Sequence, residues 1–307
     1  MSAIPVILDT DIGTDIDDTW ALAMLLKSPE LDLRLVTTAD GDTEYRARLV
    51  ARLLEIAGRS DVPVAVGVKA EQDHAPGRHQ LPWVADYGLS RYPGPVSHDG
   101  VQALIDTVMS SPEPVTILSI GPLTNLRAAL LREPRITQRA RFVGMQGSIR
   151  VGYAGSATPV AEYNVAQDVA SAAVVFSAPW EMTLTPVDTC GDIVLEGERY
   201  QRLLGHDDAL LQAVFANYRV WSKNQANSPD PGQKSTVLFD TVAVYLAYAE
   251  EFVNMETLQL GITSDGFTAV KKQGKPIRCA MTWRDRGAYL DHLTQRLLAP
   301  ITHPAMA

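Results

Sequence analysis

Five carboxylates fall within ten residues in the run Asp9-Thr10-Asp11-Ile12-Gly13-Thr14-Asp15-Ile16-Asp17-Asp18. The run lies between an apolar segment, Ile4 to Leu8, and the apolar stretch that begins after Asp18. A helix starting there offers its positive end, typically worth about 0.3–1 kcal/mol per charge, which is too little to balance five anions. A hard divalent cation with oxygen ligands would balance them, and calcium, Ca2+, accepts several carboxylates together with backbone carbonyls. An EF-hand is excluded, because that loop needs Gly at its sixth position and Glu at its twelfth. Counted from Asp9, those positions hold Thr14 and Trp20. A solvated acidic turn with one capping Asp is the plainer alternative.

The elements that must hold this run read as a βα alternation. Strands are expected at residues 4–8, 33–38, 64–66, 115–120, 141–145 and 182–185, and helices at 19–26, 43–57, 100–110 and 168–176, with a further helix opening at Gly-Pro-Leu-Thr-Asn. Strands alternating with helices predict an α/β fold: a single domain over 1–307 with a mostly parallel open sheet covered on both faces. The second half adds helices at about 197–204, 207–224 and 241–249. Stretches 258–270 and 276–282 read as a terminal hairpin before a last helix at about 288–298. Residues 71–97, rich in Pro and Gly and holding His74, His79 and Trp83, read as a long irregular loop, and loops of that length are usually functional or disordered.

Composition narrows the field. The 307 residues carry 27 Lys+Arg against 36 Asp+Glu, a net charge of −9, so a nucleic-acid scaffold, which needs a basic face, is not expected. Only Cys190 and Cys279 occur, leaving neither a disulfide framework nor a CxxC zinc site. No basic n-region precedes a long apolar run, and no segment reaches the roughly 18 apolar residues of a membrane helix. A cytoplasmic protein without membrane partners is the expectation.

Four segments together resemble the inosine/uridine-type nucleoside hydrolases. They are Ile7 through Asp18 with Ala21-Leu22 behind it, Ile120-Gly121-Pro122-Leu123-Thr124-Asn125, Met145–Gly147 followed by Ala161-Glu162-Tyr163-Asn164, and Phe239-Asp240-Thr241-Val242-Ala243. They occur in the family's order and span residues 7–245. The resemblance implies an N-glycosidase that splits a ribonucleoside into ribose and free base with Ca2+ as cofactor. It implies metal ligation by Asp11, Asp18, Asp240 and the backbone carbonyl of Thr124, with Asp11 as general base toward the attacking water. Asp17, Glu162 and Asn164 would bond the ribose hydroxyls, with Met145 beside the sugar. A homodimer or homotetramer is implied as well.

Departures from the family pattern shape the rest. Three residues, Thr14-Asp15-Ile16, precede the Asp pair where the best-known members have one, which makes Asp15 a possible substitute ligand. Asp42 stands where the family usually has Asn; a carboxylate accepts a hydroxyl bond but cannot donate as an amide does. Phe239 replaces the His that assists departure of the base, and a phenyl ring donates no proton. Stacking of a purine is the expected substitute, with Trp83, Trp221 and His79 as candidate further contacts. Competing readings are another N-riboside hydrolase, acting on a nicotinamide or modified-base riboside, and a Ca2+-stabilised ribose-binding protein without turnover. A haloacid-dehalogenase-like phosphatase matches only at Asp9, Asp11, Gly13 and Thr14, without clear counterparts to that family's later Lys and acidic-pair motifs.

Overall fold

The computed structural model describes residues 3–69 and 77–301. Its framework is one ten-stranded sheet in the order β4-β3-β2-β1-β5-β6-β7-β10-β8-β9. The strands are β1 (Ile4–Thr10), β2 (Leu31–Thr38), β3 (Val64–Val66), β4 (Val96–Ser97), β5 (Val115–Ser119), β6 (Ala140–Met145), β7 (Met182–Thr185), β8 (Val253–Ile262), β9 (Thr268–Val270) and β10 (Lys275–Trp283). All pairs from β4 to β7 are parallel, as is β7 with β10; only β8 runs antiparallel, to β10 and to β9.

Strand alternation places Val6 and Leu8 in one apolar cluster and Ile7 in the other, and all three are fully buried. That is the signature of a parallel sheet covered on both faces. One face carries α1 (Asp17–Leu26), α2 (Thr43–Ile56), α9 (Ala209–Lys223), α10 (Phe239–Leu246) and α11 (Arg286–Leu298); the other carries α3 (Gly100–Ser110), α4 (Thr124–Arg132) and α6 (Val169–Ser177). All ten residues of α1 are buried, as an all-round apolar helix requires. Three short helices complete the fold: α5 (Tyr163–Gln167), α7 (Val187–Cys190) and α8 (Gly197–Leu204). No helix among the described residues is long and apolar enough to cross a membrane.

Two expectations are corrected. The 258–270 stretch is not one strand: β8 turns at Gly266 (φ +84°) into β9, with Thr263 N donating to the Phe267 carbonyl at 2.9 Å. The described part of the 71–97 loop is not irregular throughout, with 3-10 turns at Leu81–Val84 and Leu89–Arg91 and the short strand β4. His74 and the rest of 70–76 lie outside the described residues.

Candidate active site

Strand order descends from β4 to β1 and then jumps to β5. Such a reversal opens a crevice at the carboxyl ends of the two central strands, where open α/β sheets bind ligands. Here β1 delivers the acidic run and β5 delivers Ile120-Gly121. The two approach closely, since a Cβ on Gly121 would lie 2.8 Å from the Asp11 nitrogen. A cavity of about 550 Å³ opens above them, within the size range of small-molecule sites.

The floor of this cavity is carboxylate. Asp11 and Asp18 line it from the end of β1 and the first turn of α1, and Asp240 from the first turn of α10. Ligand oxygens of Asp17, Asp18 and Asp240 lie within 4.8 Å of one another, all three residues buried. Burial, and then the charges of their neighbours, pushes all three carboxyls well above the usual range. Asp11 is raised to about 7, by burial first, with the Arg46 guanidinium opposing. Asp17 and Asp240 share a hydrogen bond, as two carboxyls do when they hold one proton. Thr10 Oγ1 donates to Asp18 Oδ1 at 2.5 Å. Hard oxygen donors packed this tightly, buried and mutually repelling, fit a hard divalent cation.

Asp15 is placed differently. It lines the cavity but is exposed at its rim, and its Oδ1 is taken up by Ile16 N at 2.7 Å. Asp9 lies behind the floor. Its Oδ1 accepts from Thr37 Oγ1 (2.5 Å) and Asn125 Nδ2 (2.7 Å), and burial raises its carboxyl to about 6. Asn125 also bonds the Thr38 carbonyl and Val68 N, so it knits β1, β2 and the loop after β3 together.

The opposite wall comes from β6 and α5. Glu162, which caps α5, accepts from Gly147 N at 2.8 Å and Asn164 N at 2.7 Å, and burial holds its carboxyl up to about 7. Asn164 Nδ2 donates to the Ile120 and Met145 carbonyls at 3.3 and 3.1 Å. Met145 and Phe239 line the same space.

Five expected residues lie off the cavity. Thr124 opens α4, where its carbonyl points along the helix axis, and its hydroxyl donates to Asp168 Oδ2 at 3.0 Å. The strand-end residue that does line the cavity is Ile120. Asp42 caps α2 by accepting from Tyr45 N at 3.1 Å and pairs with Arg78 at 2.6 Å. Trp83 is buried under Arg52, whose guanidinium carbon lies 4.7 Å from the ring centre. His79 gives its carbonyl to Asn224 Nδ2. Trp221, the other candidate ring, is likewise absent from the lining.

Sequence reasoning missed the braces of the acidic loop. Arg46, 1 % exposed, donates to the carbonyls of Asp11 and Ile12, to Thr14 Oγ1 (2.9 Å), and to both the carbonyl and the carboxylate of Asp40. Tyr45 OH holds the Gly13 carbonyl, Gln80 Nε2 the Asp15 carbonyl, and Trp221 Nε1 the Thr14 carbonyl. Gly13 sits at φ +117°, and a Cβ there would strike the Tyr45 ring at 2.7 Å. In sequence, Arg46 reads only as a polar residue on an amphipathic helix.

Buried carboxylates beneath a small cavity at a strand-order reversal define an enzyme site for a small polar molecule. Residues 6–291 match the family described as inosine-uridine preferring nucleoside hydrolase. The non-specific ribonucleoside hydrolase RihC of Escherichia coli is 34% identical over 230 residues, covering 71% of this chain and 73% of its own. That of Shigella boydii is 31% identical over 274 residues, covering 86% and 85%. Among solved structures, a plant nucleoside hydrolase aligns with TM-score 0.81 at 24% identity, covering 97% of this chain and 99% of its own. A purine-preferring ribonucleoside hydrolase from Gardnerella vaginalis gives 0.77 at 22%, covering 97% and 100%. The chain belongs to the inosine-uridine preferring nucleoside hydrolase family and is a hydrolase acting on N-glycosyl compounds.

Proposed function

We propose that this chain hydrolyses the N-glycosidic bond of ribonucleosides with Ca2+ as its cofactor, and that it cleaves purine ribosides faster than uridine. The observation carrying the reading is the buried cluster of Asp17, Asp18 and Asp240 with Asp11 beside it. Asp11, Asp18, Asp240 and the Ile120 carbonyl, in place of Thr124, are the oxygens suited to hold the ion. When bound, Ca2+ would neutralise these carboxylates, engage the ribose hydroxyls and acidify the attacking water.

Asp11 is positioned to take the water's proton, its raised pKa suiting a base that works near neutrality. Asp17, Glu162 and Asn164 bond the sugar hydroxyls; Glu162 is held by backbone N–H groups and so keeps its aim. Such bonds strengthen as the ring flattens toward an oxocarbenium ion. Phe239 offers a face to the base. Ribose release from inosine, adenosine, uridine, cytidine and nicotinamide riboside, with and without EGTA, tests the reading. Release abolished by EGTA and restored by Ca2+ supports it. Binding without release from any riboside would replace it with a ribose-binding protein.

A further inference from the structure

The carboxylates account for sugar and water, and different chemistry completes the lining of the same space. Tyr153, Phe239, Ala161, Ala166 and Gln167 line it, and no histidine lines the cavity among the described residues. A base that departs with the bonding electron pair needs a hydrogen-bond donor at the nitrogen it leaves from. The donors around the cavity are mostly spent. Asn164 Nδ2 is committed to two carbonyls, and the Tyr163 hydroxyl is paired with Thr14. Gln167 has a free amide, but no hydrogen bond or ring contact fixes it.

Tyr153 is placed differently. Its phenol oxygen accepts from Tyr163 N at 3.1 Å, which occupies a lone pair and leaves its own O–H uncommitted. Its ring is 40% exposed and meets Phe239 edge-on, centroids 5.9 Å apart and planes at 87°, a favoured aromatic geometry that fixes the ring. The loop bearing it is tied at both arms. Asp188 accepts from Ile149 N (2.9 Å) and Arg150 N (2.7 Å), Ser148 Oγ accepts from Val160 N (3.0 Å), and Gly152 N donates to the Ser156 carbonyl (2.8 Å). Burial pushes the phenol well above its usual range, so it keeps its proton throughout the working pH range.

We propose that Tyr153 is the residue that donates a hydrogen bond to the departing base, an inference that rests on the riboside hydrolysis proposed above. In the step, the C1′–N bond breaks and its electron pair stays on the base nitrogen. The water oxygen bonds C1′, and the water's proton passes to Asp11. The Tyr153 O–H stabilises the negative charge growing on the base, which then takes a proton from solvent. Riboside plus water gives ribose plus free base, with nothing else consumed. The donor stands on a rigid loop beside the ring that stacks the base, so one aromatic pair serves both binding and departure.

The test is Tyr153→Phe, which keeps the ring and its packing, assayed on inosine and on p-nitrophenyl riboside. The nitrophenolate leaves without a donor, so its cleavage reports the intact site and not leaving-group assistance. The expected result is a fall in kcat on inosine of about 10- to 100-fold. KM should stay within about 3-fold, and the rate on the nitrophenyl substrate within about 2-fold, as the hydroxyl acts only on a poor leaving group. Equal losses on both substrates would make Tyr153 merely structural, and no loss on either would make it a bystander; both overturn the inference. A wild-type chain that cleaves neither substrate would instead overturn the hydrolase reading beneath it.

Discussion

Stripping the cation should turn the acidic floor into a pH-dependent weakness. In the metal-free fold the Asp11 carboxyl sits at about 7 against an ordinary 3.8. At about 1.4 kcal/mol per pH unit, that gap corresponds to about 4 kcal/mol. Between those two values the folded chain binds more protons than the unfolded one, so stability falls as pH rises and levels off above the folded value. About 3 kcal/mol of the loss falls between pH 5 and pH 8. At about 2 °C per kcal/mol for a chain of this size, that is about 6 °C in Tm. Asp17, Asp18 and Asp240 are raised too, so they shift stability in the same direction. Ca2+, bound as proposed, would need the ionised carboxylates, so the loaded protein should escape the loss. The assay is thermal unfolding from pH 5 to 8 of EGTA-stripped, desalted protein beside the same protein in excess Ca2+. Surface titrations are common to both arms and cancel in the difference. A Tm gap that does not widen with pH would refute the shared cation site.

Other perturbations separate the roles of single residues. Asp11→Asn should lower kcat by about 10²–10⁴-fold, the usual worth of a positioned base, without lowering the Tm of the stripped protein; near-wild-type turnover would remove Asp11 from the chemistry. Arg46→Met leaves Asp40 and two loop carbonyls without their cation and should cost about 3–5 kcal/mol, read by denaturant unfolding; a cost below about 1 kcal/mol would show that the loop stands without it. Purine ribosides should show higher kcat/KM than uridine, with the ratio growing toward low pH as N7 becomes protonated; a clear uridine preference would refute the stacking role of Phe239.

How much the sequence disclosed follows from how local each signal is. The acidic run, the alternation of strands and helices and the Asp240 segment are short contiguous patterns, and the structure brings Asp11, Asp17, Asp18 and Asp240 to one cavity. Thr124 was misplaced because its segment straddles a strand end and a helix start: three residues separate the cavity-facing Ile120 from a carbonyl already inside α4. The turn between β8 and β9 falls on Thr263-Ser264-Asp265-Gly266, a polar turn signal overridden by the strand-forming residues on either side when the stretch is read as one strand. The bracing roles of Arg46 and Trp221 were illegible for a deeper reason. Each acts on the loop from far along the chain, and nothing beside either residue announces the partner.

The bracing of the acidic loop also sets when a nascent chain can acquire its site. The loop is synthesised first, yet Arg46, Gln80 and Trp221 arrive one after another, and Trp221 Nε1 reaches Thr14 across 207 positions. Asp240 comes later still. Until then the early carboxylates would lack the crowding that suits them to a cation. If the chain binds the proposed ion, uptake would be a late event of biosynthesis, and a chain interrupted before Asp240 would carry most of the acidic residues with no place to hold it.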